Sequence, residues 1–115
     1  MNTSEILYTA LKTTGYKVFP QKAPQNQKNP IVIYNITSDG FELGSNSYLD
    51  NENTRFQIDI YADGYDEILK MKTKVIKAVR DILDAKPIVY TSTESITDDS
   101  RRVKIDVKLW TSGNN

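Results

Sequence analysis

The chain has 115 residues, of which 38% are hydrophobic and 26% are charged. This is the size and composition of one globular domain with a modest core, and it fits neither a disordered chain nor a membrane protein. Lysine plus arginine total 15, as do aspartate plus glutamate, so no net charge draws the chain towards nucleic acid or an anionic membrane. The absence of cysteine and histidine excludes disulfides, thiolate and imidazole catalysis, and nearly every zinc, copper or haem site.

The first 37 residues predict one short helix and two strands. Thr3 or Ser4 is positioned to cap a helix whose apolar residues have helical spacing, and Gly15 is positioned to end it. The alternating residues 16–19 and the β-branched run 31–37 predict two strands. The polar segment between them has no periodicity, so we expect an exposed surface loop.

The segment 38–53 is rich in Gly, Asn, Ser and Asp and predicts a long loop. Loops this long in a compact domain are usually functional or disordered. We expect the segment to be mobile in the free subunit and to become ordered on assembly, when its apolar side chains are buried against a neighbour. A hairpin from Gly40 to Gly44 packed on its own subunit is the structural alternative. The apolar anchors are Phe41, Leu43, Tyr48 and Leu49.

The clearest strand and the longest helix follow. Residues 54–62 alternate between apolar and polar side chains, which is the pattern of a half-buried strand. Asp66 is positioned to cap the next helix and Pro87 to stop it. We expect this helix to pack on the sheet through Val75, Ile76, Val79 and Leu83.

The last part of the chain predicts a short strand at 88–90, a polar loop at 91–100 and a final alternating strand at 103–110. Residues 1–111 then form one domain, and residues 112–115 form a disordered tail. The fold class predicted from this order is α+β, with a largely antiparallel sheet and two helices packed on one face. The other face of the sheet is left polar.

The best enzymatic candidate is the pair of carboxylates Asp59 and Asp106, which lie on the polar sides of strands that could be neighbours. Basic residues on the same strands favour ordinary cross-strand ion pairs instead. The sequence has no phosphate-binding glycine loop, nucleophile elbow or metal-binding helix motif. We therefore expect a protein that is not an enzyme and needs no cofactor or metal.

A second function class is a nucleic-acid-binding or other small binding module that uses the polar sheet face. Tyr34, Tyr61 and Trp110 could be exposed on a sheet, where aromatic side chains stack on single-stranded bases. Acidic residues interleave with the basic ones, whereas such aromatic platforms normally lie in a basic groove. Specific nucleic-acid binding is therefore the less favoured interpretation.

Four sequence segments carry a family resemblance. After the N-terminal helix come residues 16–19 (YKVF), 29–34 (NPIVIY) and 54–62 (TRFQIDIYA), the last leading directly into the long helix, and the final strand finishes at Leu109-Trp110. In this order the chain resembles, over nearly its whole length, the small tail-completion or tail-terminator proteins of long-tailed bacteriophages and prophages.

The resemblance implies a structural protein of the virion tail, assembled in the cytoplasm of the host bacterium. Such proteins form a ring, commonly a hexamer, at the head-proximal end of the tail tube, where the ring stops tube polymerisation and docks to the head. The implied partners are copies of the chain itself, a tail-tube protein, and a head-completion or connector protein. The length of segment 38–53 leaves open a related neck or head-closure subunit.

Assembly of this kind would use the polar sheet face. A charge reversal there is expected to leave the monomer folded and to abolish ring formation, because exposed charges add little to folding and much to the choice of partner. The interface candidates are Arg55, Asp59, Tyr61, Arg102, Asp106 and Trp110.

Overall fold

The computed structural model of the chain describes residues 3–40, 51–83, 85–97 and 100–112. These residues form two helices and five strands. In chain order they are α1 (Thr3–Lys12), β1 (Lys17–Pro20), β2 (Ile31–Gly40), β3 (Asn51–Ala62), α2 (Tyr65–Arg80), β4 (Lys86–Thr97) and β5 (Ser100–Ser112).

The five strands form one sheet in the order β1-β2-β3-β5-β4. The β2–β3, β3–β5 and β5–β4 pairs are antiparallel, and only β1 and β2 run parallel. Helix α1 contacts α2, β1, β3 and β5, while α2 contacts β3, β4 and β5. The predicted α+β fold, with a largely antiparallel sheet and both helices on one side, is confirmed.

The core lies between the helices and the apolar side of β3 and β5. Burial follows the alternation predicted for the strand 54–62 and for the final strand. The fully buried apolar residues of the sheet are Val32, Phe56, Ile58, Ile60, Ala62, Val103, Ile105, Val107 and Leu109, and those of the helices are Leu7, Leu11, Ile68, Met71, Val75 and Val79.

Leu83 was wrongly expected to be part of this core. It is 96% exposed, because α2 ends at Arg80. The backbone N–H of Asp81 donates to the carbonyl of Lys77, and that of Ile82 donates to the carbonyl of Val79. The residues after Asp81 are not helical, so the apolar spacing of α2 does not determine which way their side chains point. Met71, which the sequence prediction did not use, is fully buried one helical turn before Val75.

The helix ends also differ from the predicted ones. Helix α2 begins after Gly64, so Asp66 is in its first turn rather than at the cap, where its carboxylate still interacts favourably with the helix dipole. Pro87 does not stop α2 but lies in β4. Thr3 is the first residue of α1, and its buried hydroxyl donates a hydrogen bond of 2.8 Å to the hydroxyl of Thr54 in β3.

Two hairpins are longer than the sequence predicted. The expected loop 91–100 is largely strand, because β4 continues to Thr97 and pairs with β5 along its length. Segment 38–53 is likewise strand at both ends, with Gly40 paired to Asn53. Residues 41–50, which include Phe41, Leu43, Tyr48 and Leu49, lie outside the described residues, so the ordering of this segment on assembly stays a prediction. Ser112 ends β5, and residues 113–115 lie outside the described part.

Gly15 ends α1 as predicted, with a φ of +86°. Gly15→Ala is expected to lower the free energy of unfolding by about 1 kcal/mol, since alanine adopts this left-handed conformation poorly. An added Cβ would meet no atom within 4 Å, so the loss comes from the backbone alone. Gly64→Ala is the matched control, because Gly64 has a φ of −125° and equally open space. Equal losses in urea unfolding of the two variants would contradict this explanation.

Candidate interaction surface on the open sheet face

The sheet face opposite the helices, here called the open face, collects the polar side chains of β3 and β5. The register places Arg55 opposite Lys108, Gln57 opposite Asp106, Asp59 opposite Lys104, and Tyr61 opposite Arg102. Directly paired residues lie on the same face of a sheet. All six interface candidates lie on this face: Arg55, Asp59, Tyr61, Arg102, Asp106 and Trp110.

Asp59 is buried, in contrast to the solvated charge expected from the sequence. It is 4% exposed, and one carboxylate oxygen accepts hydrogen bonds from Arg102 Nη2 at 2.9 Å and Nε at 3.2 Å. Gln57 Nε2 donates to the other oxygen at 3.0 Å. Strand β3 is central, so side chains of β2 and β5 flank Asp59 on both sides. The carboxylate is therefore a structural anchor of the open face.

The pKa values of Arg102 and of the adjacent Tyr61 are both raised, for different reasons. The hydrogen bond to Asp59 raises the pKa of the Arg102 guanidinium, against an opposing effect of burial. Burial raises the pKa of the Tyr61 phenol, which the Arg102 charge lowers in part and the Asp59 charge raises further. Arg102 is thus a fixed cation, 5.7 Å from the centre of a neutral Tyr61 ring.

The two carboxylates of the enzymatic candidate, Asp59 and Asp106, are diagonal rather than directly opposite neighbours on the open face. Asp106 is opposite Gln57, and Asp59 is opposite Lys104, so the two carboxylates are displaced by two residues along the strands. Both oxygens of Asp59 already accept hydrogen bonds. Asp59 is thus engaged by Arg102 and Gln57, in the kind of cross-strand ion pair expected as the alternative to catalysis.

One corner of the open face carries exposed apolar and aromatic side chains beside cations. Ile88, Tyr90 and Trp110 are 43%, 46% and 45% exposed. The Arg55 guanidinium lies 5.1 Å from the Tyr90 ring centre, and the Lys108 ammonium lies 5.9 Å from the Trp110 ring centre. Six residues define this aromatic corner: Arg55, Lys86, Ile88, Tyr90, Lys108 and Trp110.

Sequence reasoning found Arg55 and Trp110 but missed the contribution of β4 to the aromatic corner. Val89 is paired with Val107 on the core side, and the register then shifts before Thr91. Tyr90 is therefore the extra residue of a bulge, and it lies on the open-face side that alternation from Ile88 gives, beside Arg55. The contribution of β4 depends on the pairing of β4 with β5, and the sequence of neither strand by itself predicts that pairing.

The open face is positively charged although the whole chain is neutral. On β3, β4 and β5, the open-face positions with described side chains carry five cations and two carboxylates. The cations are Arg55, Lys86, Arg102, Lys104 and Lys108, and the carboxylates are Asp59 and Asp106. Because charges within a Debye length act together, a partner would meet a locally basic surface.

Tyr34 is not on this surface. It is paired with Ile58 on the helix side of the sheet, and its ring centre lies 6.2 Å from Tyr8 and 6.4 Å from Phe56. Burial is the main cause of its raised pKa. Tyr34 and Tyr8 line a groove of about 950 Å³ between α1 and β1. The stacking platform proposed from Tyr34, Tyr61 and Trp110 is therefore divided between two faces.

Two further features bear on function. In the part of the chain that the structure describes, no group of three or more Asp and Glu residues is placed to hold a metal ion. Among the same residues, neither helix has the length and apolar character needed to span a membrane.

Solved structures share this fold over almost the whole chain. A chain in the virion of a native gene transfer agent particle is 14% identical, with a TM-score of 0.66, covering 96% of this chain and 95% of that one. The bacteriophage SPP1 gp17 protein is 13% identical, with a TM-score of 0.52, covering 97% and 93%. At these identities the likeness shows the fold. No protein-family model and no curated protein matches the chain.

Proposed function

We propose that this chain is a structural subunit of a phage or prophage tail, which forms a ring at the head-proximal end of the tail tube, ends tube polymerisation and joins the tail to the head. The observation that carries the proposal is the end-to-end fold likeness to a chain of a gene transfer agent virion. The bacteriophage SPP1 gp17 protein, with the same fold, gives the same indication. The subunit has no enzymatic activity or cofactor, and its site of action is the virion.

The partners in this proposal are copies of the chain, with a hexamer as the expected ring, together with the tail-tube protein and a head-completion or connector protein. A ring needs a heterologous interface, in which two different surfaces of each subunit meet. The open face and the groove between α1 and β1 are two such surfaces on opposite sides of the sheet. The sheet edges at β1 and β4 offer additional backbone hydrogen-bonding groups.

The experiment that tests this proposal combines sedimentation velocity, negative-stain microscopy and tube assembly. We expect the purified chain to form a discrete ring-shaped oligomer and to shorten the tubes formed by the tail-tube protein of the same phage, with the ring at one tube end. An unrelated protein of similar size, added at the same concentration, should leave tube length unchanged. A chain that stays monomeric at all concentrations and leaves tube length unchanged would overturn the proposal.

The basic open face supports one second candidate, a module that binds single-stranded nucleic acid. Its cations and the exposed Trp110 are the parts such a module needs. Binding of this kind weakens steeply as salt concentration rises, because counterions are released from the phosphates. A fluorescence-anisotropy titration with a labelled oligonucleotide at two salt concentrations separates the two candidates, since a ring subunit is expected to show no such binding.

A further inference from the structure

The open face is positive in a neutral chain, so acidic residues must be concentrated elsewhere. Segment 38–53 contains Asp39, Glu42, Asp50 and Glu52 and has neither lysine nor arginine. The same segment contains four large apolar residues: Phe41, Leu43, Tyr48 and Leu49. The chain therefore encodes both a basic surface with exposed aromatic side chains and a segment of complementary charge and apolar content.

The aromatic corner has the composition of an interface hot spot. Tryptophan, tyrosine and arginine dominate binding energies at protein interfaces. Here Arg55 lies against Tyr90, and Trp110 lies against Lys108, which is paired with Arg55. Ile88 adds exposed apolar surface. Arg55, Tyr90 and Trp110 are each exposed, and the aromatic side chains lie beside cations that an acidic partner would pair with.

We propose that the aromatic corner of one copy binds segment 38–53 of a second copy. The apolar residues of the segment pack against Ile88, Tyr90 and Trp110, and its carboxylates pair with Arg55, Lys86 and Lys108. The contact is heterologous, because each copy supplies one corner and one segment, so that repetition of the contact closes a ring or extends a filament. This inference rests on the self-assembly in the proposed function and names the surfaces that perform it.

The described ends of the segment lie near the corner of its own chain, since Asn53 is paired with both Gly40 and Trp110. The experiments therefore have to separate a contact between copies from a contact within one copy. Trp110 is the single tryptophan of the chain. Its fluorescence reports directly on what covers the corner.

The first experiment titrates a synthetic peptide of residues 38–53 into the full chain at a concentration where it is monomeric, with Trp110 emission as the readout. We expect a saturable change, and binding about tenfold weaker or more in Arg55→Glu, which places an acid where the peptide needs a cation. Lys70→Glu is the matched control, because Lys70 is an exposed cation on α2 and lies away from the corner; its affinity should equal the wild type. No response, or equal affinity in both variants, overturns the proposal.

The second experiment mixes two variants and measures oligomer size by sedimentation velocity. The corner variant is Arg55→Glu with Lys108→Glu, and the segment variant is Glu42→Lys with Asp50→Lys. We expect each to be monomeric alone, since its single altered surface meets like charge. Their equimolar mixture should assemble like the wild type with the two variants alternating, because the acidic segment of the corner variant fits the basic corner of the segment variant, and the basic segment of the segment variant fits the acidic corner of the corner variant. All four changes in one chain should restore assembly.

These outcomes separate the contact from the proposed function. If both variants assemble like the wild type, the corner contact is overturned while the ring proposal stands. If the wild type never assembles, the ring proposal fails and the peptide titration alone decides whether the corner binds the segment. The Trp110 emission of the segment variant is also compared with that of the wild-type monomer. A difference that is the same at every concentration would assign the contact to a single copy and overturn the proposal. Binding of an oligonucleotide at the corner without any peptide response would overturn it in favour of nucleic acid.

Discussion

Asp59→Ala is expected to lower the free energy of unfolding by about 3 kcal/mol, because it leaves the Arg102 guanidinium without its carboxylate partner in a partly buried site. The side chains of Asp59 and Arg102 are only 6% and 31% exposed, and Gln57 also loses its acceptor. Asp59→Lys should be more damaging still, since it places a second cation against Arg102. This replaces the expectation that charge reversal at Asp59 leaves the monomer folded.

Asp81→Ala is the matched control for this prediction. Asp81 also pairs with a cation, Lys77, at 2.6 Å, but the two side chains are 62% and 74% exposed. An exposed pair of this i, i+4 spacing, here at the end of α2, contributes about 0.5 kcal/mol or less. Urea unfolding followed by circular dichroism measures both variants. A similar small loss in the two would mean that burial of Asp59 does not matter to folding.

Ile58→Ala is expected to cost about 3 to 4 kcal/mol, a large share of the stability of a small domain. Ile58 is fully buried at the centre of β3, directly paired with Ile105 of β5 and with Tyr34 of β2. Truncation removes apolar contacts on both sides and leaves a cavity that a sheet held by two neighbouring strands cannot close. Val79→Ala, on the facing helix, should lose a smaller amount because one methylene group fewer is removed.

Leu83→Ala tests whether the loss of stability in Ile58→Ala and Val79→Ala reflects packing rather than side-chain size. Leu83 is apolar and close in sequence to α2, but it is 96% exposed, so its truncation should change stability by less than about 0.5 kcal/mol. Thermal unfolding of the three variants gives the comparison. A large loss in Leu83→Ala, or unchanged midpoints in Ile58→Ala and Val79→Ala, would show that the core assignment is wrong.

The two faces of the sheet have different roles: the helix side stabilises the fold, and the open face is the surface proposed for assembly. The helix side holds nearly all the buried apolar residues, so changes there act on stability. On the open face, the cations Arg55, Lys104 and Lys108 make little contact with the core and can be exchanged at small cost to folding. Asp59 is the exception, since it combines an open-face position with burial. Variants of Arg55 and Lys108 are therefore better probes of assembly than variants of Asp59.

Much of the fold was predictable from local sequence pattern. The period-two alternation at 54–62 and 103–110 identified the two central strands and the face that each residue occupies. The helical spacing at 68–79 identified α2 and most of its buried side. These segments are read correctly because burial on one face imposes a strong periodic signal on a strand or helix that crosses the core.

The errors have a common physical cause, which is that the partner strand is not visible in the local sequence. Residues 91–97 are polar, yet they form strand because β5 supplies their hydrogen-bond partners. Residues 38–40 pair with residues 53–55 of β3, and residues 51–53 pair with the end of β5, for the same reason. Leu83 was placed in the core by extending a helical period past Arg80, where the cap at Asp81 ends it.

The sequence by itself determined the fold class, the core side of each central strand, and the set of polar residues that share the open face. Tertiary structure alone decided that Asp59 is buried under Arg102, that Tyr34 faces the helices, and that Tyr90 joins Trp110 at one corner. Periodicity fixes which side of a strand a residue occupies, because side chains alternate strictly. Strand order, register and bulges fix which residues from distant parts of the chain meet, and these follow from pairing across the whole sheet.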